Sequence, residues 1–242
     1  MNEEIWITKL FNDHLAGLGN AAVNLVGWPS VLRPWSNYVC MELLVAAIIV
    51  VVFAVLKSRL SVEKPGKFQQ TFELVQDFVH SQGQEQIEHH SDRYIAFFGT
   101  IFVFILFSNL IGVIPGFESP TKFPAVPLGC AMAVFLFYNI VGVKEIGPIN
   151  YAKHFAGPLW WLAPLMIPIE IISHFARPLS LTVRLFANMY AGEQITMVFL
   201  GLTYFAIPAV FMGLHVFVSL IQAYVFMVLA MLYVGSAVAH EH

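Results

Sequence analysis

The sequence has few charged residues and few cysteines, and both shortages narrow the class of protein. Only 11% of its 242 residues are charged and 58% are hydrophobic, whereas soluble domains are about one quarter charged. The net charge of -3 provides no broad basic surface for nucleic acid. Cys40 and Cys130 lie inside apolar runs without a second cysteine or histidine at ligand spacing, which argues against a disulfide framework and a zinc site. The composition predicts an integral membrane protein.

Two sequence signals are also missing. The chain has no GxxxxGK[ST] phosphate-binding loop, so we expect no nucleotide site in it. Residues 1–37 lack a basic segment followed by an apolar one, so we expect no cleavable signal peptide and assign them to an outer segment. No cofactor is predicted.

Several long segments of the sequence are apolar and almost free of charged residues, unlike segments of that length in a soluble protein. A helix needs about 20 residues to cross a hydrocarbon core about 30 Å thick. Three runs of that length occupy residues 38–56, 94–114 and 125–143. Residues 68–82 instead place apolar side chains at helical spacing with polar ones elsewhere on the wheel, which predicts a helix on the membrane surface.

The polar segment GQEQIEHHSD follows this surface helix and contains residue types that bind metals. They are Glu85, Glu88, His89, His90 and Asp92. Zinc sites have characteristic ligand spacings, and the segment has none of them. We interpret it as a solvated loop at a helix end and predict no metal site.

Lysine and arginine are unequally divided between the two sides of the membrane if the spans alternate. One side receives Lys57, Arg59, Lys64, Lys67, Arg93, Lys144 and Lys153, and the other receives Lys9, Arg33 and Lys122. Cytoplasmic loops carry the excess of these residues. The N-terminus is therefore predicted outside and the C-terminus in the cytoplasm.

The last third of the chain is apolar for longer than a perpendicular crossing requires. As helices, residues 159–200 and 209–239 would be about 63 Å and about 46 Å long. The first must tilt steeply, bend at its prolines or divide into two helices, and the second is expected to tilt. We predict one all-α, polytopic membrane domain over residues 1–242, with upright spans at 38–143 and a tilted hairpin at 159–239.

Polar side chains form a stripe along the first helix of this hairpin. At 100° per residue, the following side chains fall within about 40° of Arg184: Glu170, Ser173, Arg177, Ser180 and Asn188. On the second helix, His215, Ser219 and Gln222 fall within about 60° of one another and are expected to face the first stripe. Glu193 lies about 180° from Arg184, so it faces a different neighbour.

Charges inside a membrane cost about 2.5 to more than 10 kcal/mol, so they are kept in a pair, a cavity or an ion path. An ion path is the favoured interpretation for Arg184. Arg177 is equally explained as an anchor that extends to the inner membrane surface. Structural pairing of Glu170 and Glu193 with the arginines is the alternative, and the opposite orientation of Glu193 argues against it.

The segments RPLSLTVRLFANMYAGE and HVFVSLIQAYVFMVL closely resemble subunit a of the bacterial F-type ATP synthases. The order of elements agrees from the first span to the C-terminus. The resemblance implies a stator subunit of the plasma (inner) membrane, with two offset aqueous half-channels lying against a ring of c subunits. It also implies subunit b of the peripheral stalk, the other synthase subunits and the lipid bilayer as partners.

The resemblance also implies a role for individual residues. Arg184 matches the essential arginine, Asn188 its neighbour one turn on, and Gln222 the glutamine close to it. Glu193 and His215 match the pair that lines the outer half-channel.

On the inner route, Glu170 matches the acidic position, and Ser173, Arg177 and Ser180 are candidate lining residues. Ala187 replaces the glycine of the commonest pattern, a change of one small residue for another. The coupling ion, H⁺ or Na⁺, is set mainly by the ring and not by this chain.

Two other classes of protein carry some of these features. A secondary transporter also has intramembrane charges, but no pair of internally similar halves is found in this sequence. A purely structural anchor accounts for the spans but not for two polar stripes aligned along a hairpin.

Overall fold

The computed structural model describes residues 5–25, 29, 31–61, 65–87, 91–114, 116–148, 151, 163–202 and 206–238. Seven helices of 17 residues or more lie within this part of the chain. They are α1 (Trp6–Leu25), α2 (Asn37–Ser58), α3 (Lys67–Gln86), α4 (Ile95–Ile111), α5 (Ala125–Ile146), α6 (Ala163–Leu202) and α7 (Ala206–Val238). The described residues contain no strand, which confirms the all-α prediction.

The predicted spans agree with the structure to within a few residues. Among the described helices, α2, α5 and α7 are long and apolar enough to cross a membrane. The run 94–114 contains α4, which has only 17 residues and ends at Ile111. It ends early because the following loop folds back onto it, and a Cβ on Gly112 would lie 2.7 Å from Cβ of Ser119.

Two helices outside the spans differ from the expectations. The predicted surface helix at 68–82 is the longer α3, and residues 1–37, for which no helix was predicted, contain α1. Helix α1 is kinked at Leu15, whose φ is -121°. The indole N–H of Trp35 donates to the Leu15 carbonyl at 2.9 Å, so a distant residue compensates for the break. This tertiary contact has no local sequence signal.

The C-terminal hairpin consists of two long helices, as predicted. Helix α6 has 40 residues, about 60 Å at 1.5 Å per residue, and continues through Pro168 and Pro178 without dividing in two. Helix α7 has 33 residues, about 50 Å. Residues 159–162, 203–205 and 239 of the predicted hairpin lie outside the described part. The tilt in the bilayer stays a prediction.

Helices α4, α5, α6 and α7 share one apolar core. Leu181, Leu185 and Met189 project from α6 at intervals of four residues and are fully buried, the spacing that places side chains on one helix face. Helix α2 joins the bundle through a smaller cluster of Met41, Val45 and Ile111. Many apolar side chains on the outer faces of the bundle remain exposed, as expected for helices whose solvent is lipid.

Close backbone packing of α3 on α7 depends on Gly235. A Cβ at this position would overlap the carbonyl oxygen of Gln86 at the end of α3. We predict that Gly235→Ala destabilises the bundle by about 1–3 kcal/mol, the usual effect of overpacking. The measurement is the thermal unfolding temperature of the purified protein in detergent.

Gly213→Ala is the matched control on the same helix, since a Cβ there meets nothing within 4 Å. Equal unfolding temperatures for the two variants would contradict this account of the α3–α7 contact.

Candidate functional site

The charged side chains of α6 occupy three levels along its axis. Glu170 and Arg177 lie toward one end, Arg184 lies in the middle and Glu193 lies toward the other end. From Glu170 to Arg184 the rise is about 21 Å, and from Arg184 to Glu193 it is about 13.5 Å. The chemical surroundings differ at each level.

Arg184 is exposed, and none of the described residues forms a hydrogen bond or ion pair with it. One turn further on, the Asn188 side chain donates a hydrogen bond of 2.6 Å to Oε1 of Gln222 on α7. Gln222 is buried, and its Nε2 has no partner among the described residues. The predicted apposition of the two polar stripes is confirmed at this pair.

Small side chains surround Arg184 on an uncovered strip of α6. This strip, the open face, comprises Ser173, Ser180, Arg184, Ala187 and Ala191, all of them exposed. Small residues at such a surface let another helix approach its backbone closely. The open face therefore combines one cation with room for a neighbouring helix.

At the far end of α6 the partner of Glu193 is Lys122, which lies in the α4–α5 link (residues 112–124). Lys122 Nζ lies 2.6 Å from Oε1 of Glu193 and 3.2 Å from Oε1 of Glu118. The side chains of Lys122 and Glu193 are only 14% and 15% exposed. The prediction that Glu193 does not pair with Arg184 is confirmed.

His215 lies beside Glu193 but does not hydrogen-bond to it within the described structure. Its ring packs on the next residue back, and a Cβ on Gly192 would lie 2.6 Å from Nδ1. Nε2 of His215 and Oε2 of Glu193 are both buried and without a partner among the described residues. The structure therefore brings His215 to the turn of α6 that carries Glu193, without a hydrogen bond between the two side chains among the described residues.

A buried polar network supports this end of the site. Thr121 donates a 2.7 Å hydrogen bond to the Asn109 side chain and lies 2.6 Å from the hydroxyl of Ser119. Ser119 donates to the Ser108 carbonyl at 2.9 Å, and Asn109 donates to the Ser219 carbonyl at 3.4 Å. The network joins α4, the α4–α5 link and α7, so it fixes the segment that carries Lys122.

At the opposite end Arg177 is held within the bundle. Its guanidinium lies 5.4 Å from the ring centre of Tyr233 and 6.0 Å from that of Tyr138, distances typical of cation–π contacts. It also donates to Ser236 at 3.5 Å and lies 3.9 Å from Glu170. These contacts support the structural interpretation of Arg177 and pair Glu170 with an arginine at the limit of ion-pair distance.

His174 is the centre of a second buried polar cluster. Its Nε2 lies 3.0 Å from Oδ1 of Asn139, and its Nδ1 lies 3.2 Å from the hydroxyl of Tyr138. Tyr151 donates to the same Asn139 oxygen at 2.9 Å. Because Oδ1 of Asn139 can only accept a hydrogen bond, Nε2 of His174 is the donor in this contact.

Sequence reasoning missed four residues of these clusters and of a nearby cavity. Lys122 and Glu118 lie in a loop, His174 lies on the face of α6 that meets α5, and Glu42 lies in a span recognised by length alone. Glu42 lines a cavity of about 320 Å³ between α2 and α5. The i, i+4 spacing of Glu170 and His174 was the only local signal available.

The structure describes only part of the polar segment that was considered for metal binding. Glu88, His89 and His90 lie outside the described residues. Asp92 contacts His80 at 2.7 Å, so its described neighbour is on the surface helix α3.

Length, apolarity and charges on a long helical hairpin define a polytopic membrane protein with intramembrane polar sites. Residues 39–235 match the family described as ATP synthase A chain. The chain is 66% identical to ATP synthase subunit a of Solibacter usitatus over 96% of this chain and 100% of that protein. The corresponding protein of Koribacter versatilis is 48% identical over the full length of both. The chain belongs to the ATP synthase A chain family.

The Asn188–Gln222 contact yields a stability prediction. We expect Asn188→Leu and Gln222→Leu to be less than additive, with a coupling of about 0.5–1.5 kcal/mol, because either change alone removes the same hydrogen bond. Thermal unfolding of the two single variants and the double variant in the purified complex measures it. Val51→Ala, exposed on the outer face of α2, serves with Gln222→Leu as the uncoupled pair; equal couplings would contradict the contact.

Proposed function

We propose that the chain is the proton-conducting stator subunit of a rotary ATP synthase. As a member of its family it is a membrane subunit of an ATP synthase and takes part in proton transport. In the proposal, two water-filled half-channels open on opposite sides of the membrane and end against a ring of c subunits. Nucleotide chemistry belongs to other subunits.

The position of Arg184 carries this proposal. It lies exposed midway along α6, while the acidic groups on either side of it are engaged with other segments. An unpaired cation inside a bilayer is expensive, so it needs water or an anionic partner from outside the chain. A ring of carboxylates that pass one at a time supplies such a partner.

The open face is the surface we assign to the ring. Ser180, Ala187 and Ala191 project no further than a methyl or hydroxymethyl group, so a ring helix can bring its carboxylate close to Arg184. Subunit b of the peripheral stalk keeps the chain from turning with the ring. The whole chain acts as one membrane domain.

The outer half-channel is assigned to Glu193 and His215. Oε2 of Glu193 and Nε2 of His215 have no hydrogen-bond partner in the part of the chain that the structure describes, so a proton path can use them. With the N-terminus outside and the C-terminus cytoplasmic, this end of α6 faces the exterior of a bacterial plasma membrane.

The inner half-channel is assigned to Glu170 with Ser173 and Ser180, and Arg177 supports it structurally. A proton from the outer path neutralises a ring carboxylate, which then moves through lipid for nearly a full turn. It loses the proton on the inner side and is attracted to Arg184, whose guanidinium keeps its charge at working pH. Asn188 and Gln222 fix the surroundings of that arginine through their hydrogen bond.

Arg184 also separates the two paths. A proton that moved directly from one half-channel to the other would have to pass a fixed positive charge. Because direct leakage is prevented, each transferred charge is coupled to rotation, and 100 mV then supplies about 2.3 kcal/mol per charge.

Replacement of Arg184 tests the central step. We expect Arg184→Ala to abolish ATP-driven proton pumping and coupled synthesis in membrane vesicles while the complex still assembles. Arg184→Lys should fail as well, because an ammonium is a compact charge that loses its proton more readily when desolvated. Asn188 and the residues of the open face other than Arg184 remain intact in both variants.

The control for this experiment is Arg59→Ala, which removes an exposed charge at the end of α2. Complexes are compared at equal content of ring protein. Pumping by an assembled Arg184→Ala complex at near-normal rate would disprove the proposed role.

Accessibility of single cysteines tests the offset of the two paths. In a background without the buried Cys40 and Cys130, cysteines at 193 and 215 should react with an impermeant thiol reagent from outside only. Cysteines at 170 and 173 should react from inside only, because Arg184 separates the paths. Labelling of oriented vesicles, read by mass, gives the result.

Val50 and Val51, exposed on the apolar helix α2, provide the lipid-facing control. Cysteines there should stay unreactive from both sides, since apolar surroundings disfavour the thiolate. One row of α6 positions labelled from both sides would indicate an open pore and favour a channel or transporter.

A further inference from the structure

Lys122 occupies a position between two carboxylates that come from different parts of the chain. Glu193 belongs to α6 and Glu118 to the α4–α5 link, and each has one oxygen within 3.2 Å of the ammonium. Each carboxylate also has a second, buried oxygen without a partner among the described residues. One ammonium thus pairs with two carboxylates, and each carboxylate keeps one oxygen without a hydrogen-bond partner among the described residues.

The segment that carries Lys122 is held rigidly. Ser119 and Thr121 are fully buried and anchored to α4 through the network around Asn109. The centre of the Phe123 ring lies 5.4 Å from the ammonium. Because the backbone is anchored, movement of the charge is confined to the flexible lysine side chain.

We propose that Lys122 is a positioning residue of the outer half-channel, whose ammonium passes between Glu193 and Glu118 as Glu193 gains and loses a proton. This inference rests on the proposed function. When Glu193 is ionised, the ammonium pairs mainly with it, as the 2.6 Å distance indicates. When a proton from the outer solution binds Glu193, the ammonium pairs with Glu118; when the proton leaves for the ring carboxylate, the ammonium returns.

Charge balances throughout this cycle. Two carboxylates and one ammonium carry a total of -1, and the total becomes 0 while Glu193 holds the transported proton. The ammonium keeps its own proton, so the lysine is never part of the transfer itself. Its function is to let Glu193 release the transported proton readily, because a nearby positive charge favours the ionised form of a carboxylate.

Other titratable groups surround this cluster and enter the expected pH dependence. His215 on α7 lies beside Glu193, against Gly192. Glu42 on α2 lines the neighbouring cavity with Tyr38, whose ring contacts Phe123 at 5.6 Å. Helix α4 contributes only the neutral network, since residues Ile95–Ile111 include no charged side chain.

The test is ATP synthesis by the whole complex in proteoliposomes, with a fixed potential and the outer pH varied. Lys122→Met removes the charge at similar length, so Glu193 holds its proton more tightly, and the half-maximal pH should move about one unit toward alkaline values. Lys122→Arg should restore the original profile. Lys144→Met, an exposed lysine at the opposite end of α5, is the matched control and should not change it.

A second variant should shift the half-maximal pH in the opposite direction. Glu118→Gln leaves the ammonium wholly to Glu193 and removes a neighbouring negative charge, so the half-maximal pH should move toward acidic values. This variant decides the question if Lys122→Met does not assemble. An unchanged profile, or a lower rate at every pH without a shift, would overturn the proposal and leave Lys122 with a merely structural role.

Glu193→Gln in the same assay separates this inference from the proposed function. Normal synthesis by Glu193→Gln would remove the outer half-channel itself. Loss of synthesis in Glu193→Gln together with a wild-type profile in Lys122→Met would remove only the role of Lys122.

Discussion

The high free energy of an isolated charge in a low-dielectric bundle is the constraint on which the rest of this structure depends. The charge of Glu193 is compensated by Lys122, and the charge of Arg177 is compensated by aromatic rings, a hydroxyl and Glu170. No described residue compensates the charge of Arg184. That difference, and not the mere presence of charges, distinguishes the part of α6 to which the proposed function assigns a partner protein.

Helix packing separates these polar groups from the apolar core. Leu181, Leu185 and Met189 bury one face of α6 against α7, which leaves the polar side chains on the remaining faces. Charged residues at different angles around one long helix therefore meet different neighbours: Glu193 meets the α4–α5 link and Arg177 meets α5 and α7. A single rigid helix sets the distance between the two ends of the site.

The link between α4 and α5 determines where Lys122 lies. Its hydroxyl groups form a buried network with Asn109, and this network carries Lys122 to the end of α6. Buried polar networks are stable only when their members are satisfied together, so the loop and the helices depend on each other. Catalytic and binding groups are often found on loops that a rigid scaffold positions in this way.

The sequence by itself determined the membrane class, the spans, the surface helix and the stripe that contains Arg184, because hydrophobic length and helical period are local properties of a chain. Tertiary structure alone decided that Lys122 meets Glu193, that Trp35 compensates the kink in α1 and that His174 joins a cluster with Tyr138. These contacts join residues 20 to 71 positions apart. No periodicity within one helix encodes such pairs, since they depend on how separate helices pack against one another.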